Sequence, residues 1–155
     1  QKKIWERKWS GQTILSDGSN AQLDYPDPLT RAKKILEYSS MPGTSRHHWG
    51  TDIDFNSFDN SWFEQGEGLK LFTWLEKNAS LYGFCRPYTA YDENRKYGYN
   101  EEKWHWSYVP LAKKYTRFAE ARLKDKDISG FLGAELSQEL SVVEKYVLGI
   151  NPECK

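Results

Sequence analysis

Long apolar runs are missing from this sequence. None approaches the roughly 20 residues that a helix needs to span a bilayer, and no basic-then-apolar segment opens the chain. Any secretory leader is therefore expected to have been removed already. Excess charge of either sign is missing too. Lys and Arg number 22 and Asp and Glu number 22, so no net field favours nucleic acid or an anionic membrane surface. Cysteine is nearly absent: Cys85 and Cys154 are the two present, and they lack metal-ligand spacing, which leaves a disulfide or two free thiols open. No Gly-x-Ser-x-Gly and no phosphate-cradling glycine loop occurs, and Cys85 has no histidine near it in sequence. Serine, cysteine and nucleotide chemistries are thereby weakened.

Aromatic residues are abundant. They make up 15% of the 155 residues, with seven Trp and ten Tyr. That length suits one domain with a hydrophobic core, and the core is expected to lean on large rings. Gln1 to Trp9 reads as the tail of a helix. Asp27-Pro28 opens a helix through about Tyr38, with a capping carboxylate followed by proline in the first turn. Thr51 to Phe55 alternates as a strand, with Asp52 and Asp54 toward a cleft and Ile53 and Phe55 toward a core. A helix is expected over about Leu69 to Ser80 and a short strand within Gly83 to Tyr88. Trp104 to Tyr108 alternates as a further strand. Pro110 opens a helix with Leu111, Tyr115, Phe118 and Ala119 in register, and Ser137 caps a last one. No repeat, low-complexity segment or linker interrupts residues 1–155. The reading is a single α+β domain: a small antiparallel sheet packed by several helices, with a site in a cleft on the sheet.

All three histidines fall in two stretches, Ser45-Arg46-His47-His48-Trp49-Gly50-Thr51-Asp52-Ile53-Asp54 and Glu102-Lys103-Trp104-His105-Trp106. Catalytic zinc takes three ligands from His, Asp or Glu and keeps a fourth position for water. His47 and Asp54 supply two, with Gly50 letting the chain turn between them, and His105 supplies the third. Such a set leaves the ion a strong Lewis acid. Glu102 is the candidate general base. Three residues before His105, it would face the opposite side of a straight strand, so a bend is predicted there. His48 is expected to pack or hydrogen-bond. Trp106 and Tyr108 flank His105 and are candidate substrate contacts. Asp52-x-Asp54-x-Asn56 opens like a calcium loop but fails at Ser57, where glycine is needed, and at Phe63, where a bidentate Glu is needed.

Ser45-x-His47-x-x-Gly50-x-Asp52-x-Asp54 resembles the Ser-x-His-x-x-Gly-x-Ala-x-Asp signature of VanY-type D-alanyl-D-alanine carboxypeptidases and related dipeptidases. Glu102-x-Trp104-His105 resembles their second signature. The resemblance implies an α+β zinc peptidase with one ion on His47, Asp54 and His105, Glu102 as base and Ser45 holding substrate. It implies hydrolysis of the terminal D-Ala-D-Ala amide of a peptidoglycan stem peptide, in the periplasm or outside the cell. An oxidising compartment of that kind makes a Cys85–Cys154 bridge plausible. An L,D-carboxypeptidase or endopeptidase, or a zinc-stabilised binding module without turnover, are the alternatives. Two departures stand out. Position 52 is small in the family and Asp here, where it could compete as a ligand. The family's oxyanion-steadying arginine lies upstream, and the resemblance places the start of this chain just after it, with Arg46 and Arg86 as conceivable substitutes.

Overall fold

Asp27 accepts a hydrogen bond from Thr30 N at 2.8 Å and starts the expected helix one residue before Pro28. The computed structural model describes residues 1–155. In chain order it contains α1 (Lys2–Trp9), α2 (Ala21–Asp24), α3 (Pro28–Ile35), β1 (Asp52–Asp54), α4 (Gly66–Asn78), β2 (Phe84–Cys85), β3 (His105–Tyr108), α5 (Val109–Arg122) and α6 (Ser137–Leu140), joined by turns and short 3-10 segments.

The three strands form one antiparallel sheet in the order β1-β3-β2. Its register pairs Asp54 with His105, Ile53 with Trp106 and Asp52 with Ser107. Phe55 N bonds to Trp104 O and Tyr108 N to Thr51 O, so the hydrogen-bonded rungs fall at 55/104, 53/106 and 51/108. The pairs Asp54/His105 and Asp52/Ser107 therefore occupy the narrow rungs, where opposing side chains approach most closely.

Two apolar clusters sit on either side of this sheet. The larger gathers Trp5 and Trp9 of α1, Ala32 and Ile35 of α3, and Val142 and Ile150 of the C-terminal segment. The smaller, on the α4 side, is Leu75, Ala79 and Trp106, with Phe55, Leu71 and Phe84 against it. Cys85 and Cys154 are joined by a disulfide, which ties β2 to the C-terminus.

Three sequence expectations change. Ile53, on the outer strand β1, stays 42% exposed, and only Phe55 of that pair joins a cluster. On α5, Leu111, Tyr115 and Phe118 face outward, while Ala112, Thr116 and Ala119 are buried. The phase is set by the small residues and by Thr116 Oγ1, which accepts from Arg46 at 3.1 Å. The single last helix is broken by Ser141 at φ 52°. Ser137 donates to Asp125 O instead of capping, and Asp125 accepts from Val143 N to start the following wide turn.

Candidate active site

Ser45 is the cap of a 3-10 turn over Arg46–Trp49, its Oγ accepting from His47 N at 3.3 Å. Gly50 ends that turn at φ 68°, a left-handed conformation that L side chains rarely adopt. The chain then enters β1. This reversal brings His47 Nδ1 to 3.2 Å from the Asp52 carbonyl. A carbonyl only accepts, so Nδ1 is the nitrogen that donates there and Nε2 is the one turned toward the cleft. Nε2 lies 3.2 Å from Asp54 Oδ2.

The other half arrives on β3. Glu102 sits in a turn ahead of the strand, which His105 N closes by donating to Glu102 O at 3.4 Å. The predicted bend is therefore present, and the odd spacing no longer separates the two side chains. Glu102 Oε2 is 3.1 Å from His105 Nδ1, and that nitrogen is 3.5 Å from Asp54 Oδ1. The ligand atoms of His47, Asp54 and His105 all lie within 4.8 Å of one another. A tetrahedral ion bound at about 2.0–2.1 Å needs donors about 3.3 Å apart, so the His47–Asp54 and His105–Asp54 separations fit such an ion.

Asp52 does not compete as a ligand. Its Oδ2 is 2.9 Å from His105 Nε2 and accepts from Arg46 Nε at 3.1 Å. Its Oδ1 accepts from Ser107 Oγ at 2.8 Å and Thr51 Oγ1 at 2.7 Å. A carboxylate behind a metal-binding imidazole fixes the ring and raises its basicity. Burial opposes ionisation of Asp52, but these bonds outweigh it and hold the carboxyl below its usual range. Burial likewise opposes the His105 cation, and Asp52 and Glu102 outweigh it, so the metal-free imidazole is pushed up to about 9. Glu102 is buried, and desolvation raises its carboxyl despite the opposing bond from His105.

The site opens into a cleft of about 310 Å³. Ser45, His47, Asp54, Glu102 and His105 line it. Trp106 and Tyr108 do not, and their expected substrate role is corrected by strand parity. Trp106 lies on the α4 side, its Nε1 bonded to Lys103 O at 3.1 Å. Tyr108 packs on Phe84 with ring centroids 5.2 Å apart. Trp104 lines the cleft instead, with Tyr38, Phe58, Tyr88 and Lys8. The turn frees Trp104 from strand alternation, which the sequence pattern alone could not register.

His48 is exposed rather than packed. Arg46 and Arg86 do not reach the cleft. Arg46 is buried beneath the sheet, its guanidinium 4.5 Å from the Trp49 ring, and Arg86 pairs with Glu76 and Glu101.

The model of a family described as VanY, D-alanyl-D-alanine carboxypeptidase, matches residues 1–111, a span that holds every residue of the cluster. An uncharacterized protein of Haemophilus influenzae is 35% identical over 46% of this chain and 63% of its own length. A D-alanyl-D-alanine carboxypeptidase of Enterococcus faecalis is 34% identical over 46% of this chain and 25% of its own. The chain thus spans less than two thirds of the length of either curated relative. A solved structure of the LdcB LD-carboxypeptidase aligns with 70% of this chain and 56% of its own, at 27% identity and a TM-score of 0.39.

Proposed function

The chain belongs to the VanY D-alanyl-D-alanine carboxypeptidase family, and from that premise we propose that it is a zinc peptidase hydrolysing the terminal D-Ala-D-Ala amide of peptidoglycan stem peptides. The observation that carries this reading is the meeting of His47, Asp54 and His105 beside a buried acid, Glu102, in one cleft. The three ligands would hold one zinc ion. When bound, that ion supplies Lewis acidity, lowering the pKa of water and polarising a carbonyl oxygen.

The chain's own residues do the rest. Glu102 accepts the proton of the attacking water at Oε2 and delivers it to the departing amine. Its burial suits it to both states, because desolvation brings a carboxyl closer to neutral pH. Asp52 holds His105 through Nε2, and the Asp52 carbonyl holds His47 through Nδ1, so neither ring is free to rotate. Ser45 is the proposed polar contact to the peptide, and Tyr38, Phe58 and Trp104 shield the reacting bond from bulk water. The disulfide suits an oxidising compartment, which supports a periplasmic or extracellular location.

The test is Glu102→Gln. The variant is expected to keep one equivalent of zinc and the affinity for a D-Ala-D-Ala pentapeptide while losing D-alanine release. Release from a tetrapeptide instead of a pentapeptide would move the reading to an L,D-carboxypeptidase. Zinc and peptide binding without release by the unmutated protein would make it a binding module.

A further inference from the structure

Lys8 is the only lysine or arginine whose side chain lines the cleft. Its Nζ donates to Ser39 Oγ at 2.6 Å, and no carboxylate lies within ion-pair distance of it, whereas Lys34 meets Asp17 and Glu37 at 2.9 Å and Lys103 meets Glu64 at 2.8 Å. It is half-buried, and burial pulls its ammonium below the usual lysine range, with Glu102 opposing across the cleft. An ammonium withdrawn from water without a counter-charge is costly.

The charge of the whole cleft points the same way. Asp54 and Glu102 are its two acidic side chains. A dication on the three ligands would balance them, and Asp52 already balances Arg46 beneath the sheet. Among the side chains of the cleft, the charge of Lys8 alone is left over. Its neighbours in the wall are neutral hydroxyl groups, Ser39, Ser40 and Ser45, which donate hydrogen bonds and repel no anion. A site with one unmatched cation among hydroxyl donors suits a singly charged, oxygen-bearing group.

We propose that Lys8 and Ser39 form a carboxylate-binding subsite of this cleft, receiving one carboxylate of the peptide while its scissile amide lies at Glu102. The subsite rests on reading the cleft as a peptidase site. Ser39 orients the ammonium in the free protein and shares the carboxylate in the complex. Lys8 sits in the last turn of α1, so the subsite joins the N-terminal helix to substrate recognition.

The test is a binding cycle on the zinc-loaded Glu102→Gln protein, where turnover does not intrude. Three probes are measured by calorimetry: a pentapeptide ending in D-Ala-D-Ala, the same peptide amidated at its C-terminus, and the same peptide amidated at its internal carboxylate. With Lys8 present, amidating the recognised carboxylate weakens binding by about 10-fold or more, and which amide does so identifies the source. In Lys8→Met the free peptide is weakened to the same extent and that amidation has no further effect, while Lys8→Arg restores part of the loss.

Affinities for all three probes that are unchanged by Lys8→Met would overturn the subsite, as would an equal loss for all three. Absence of binding by the protein that retains Lys8 would overturn it as well. Thermal unfolding and zinc content of each variant separate a folding defect from a recognition defect. D-alanine release by the unmutated protein is scored independently. Release with a flat cycle removes only the subsite, and an intact cycle without release removes only the catalytic reading.

Discussion

Replacing Asp52 by alanine restores the small residue usual in the family at this position, and here it should be damaging in two separable ways. The Asp52 carboxylate is wholly buried and accepts from Arg46, Ser107 and Thr51 while facing His105 Nε2. Its loss strands the Arg46 guanidinium beneath the sheet with no counter-charge and with the hydroxyls of Ser107 and Thr116 as its remaining hydrogen-bond partners. Removing one member of a buried ion pair costs about 3–5 kcal/mol. It also leaves His105 without the acceptor that fixes its ring, and loss of such support typically costs about 10–100-fold in metal affinity.

The two effects part in Arg46→Leu/Asp52→Ala. Both charges are gone, so urea denaturation of the zinc-free protein should recover most of the lost stability. Zinc affinity, measured by competition with a chromophoric chelator, should stay low because His105 Nε2 still has no partner. The stability penalty of Asp52→Ala also has a pH window. A carboxyl whose folded pKa is depressed contributes above its unfolded value, about 3.9, and loses that contribution as pH falls toward the folded value. The penalty is thus full above about pH 4 and shrinks below it. Zinc binding by Asp52→Ala as tight as in the unmutated protein would refute the reasoning, and so would a double variant that regains affinity together with stability.

Other perturbations test other joints of the structure. The Cys85–Cys154 bridge closes a 69-residue separation, so Cys85→Ser/Cys154→Ser should lower stability by about 4 kcal/mol on loop entropy, read from denaturant midpoints under oxidising conditions. In metal-free protein, His105 is pushed up to about 9; a raised pKa stabilises below the unfolded value of about 6.5 and loses that contribution as pH climbs to about 9. Stability in the presence of a chelator should therefore fall by about 3 kcal/mol across that window, and His105→Gln should abolish the slope. Trp106→Ala should cost about 3–5 kcal/mol by opening a void under α4, whereas Trp106→Phe should leave KM for the pentapeptide unchanged; a raised KM with normal stability would return Trp106 to the substrate site.

The fold was legible where local chemistry decides it. Asp27-Pro28 announces a helix start through a cap and a fixed φ, and α3 begins there. Alternation over 51–55 and 104–108 announces strands, and β1 and β3 lie within those limits. It was illegible where a distant partner decides. Periodicity assigned Leu111, Tyr115 and Phe118, together with Ala119, to the inner face of α5, because three large apolar side chains at helical spacing outweigh an alanine and a threonine. The inner face went to Ala112, Thr116 and Ala119, because Arg46, 70 residues away from Thr116 in sequence, needs a hydroxyl there. The C-terminal break has the same origin, since the carboxylate that starts its second half belongs to Asp125.

The site shows how far parity carries and where it stops. Parity placed Asp52 and Asp54 on one face, and both do face His105. It could not distinguish their roles, because it gives direction and not depth. Depth comes from the pairing. Asp54 opposes His105 directly, so its carboxylate reaches the Nδ1 side of the ring, where the cleft opens. Asp52 opposes Ser107, one narrow rung further in, and meets the Nε2 side beside Arg46. One imidazole thus receives the two aspartates of β1 on its two nitrogens, and burial sorts them. The acid that shares its charge with a guanidinium can stay in the interior as an ion. The acid whose partners are the two imidazoles and no lysine or arginine remains at the cleft, where a dication would complete it. The aspartate that departs from the family pattern is therefore coupled to Arg46 in the same stretch, and the two residues should be exchanged together or not at all.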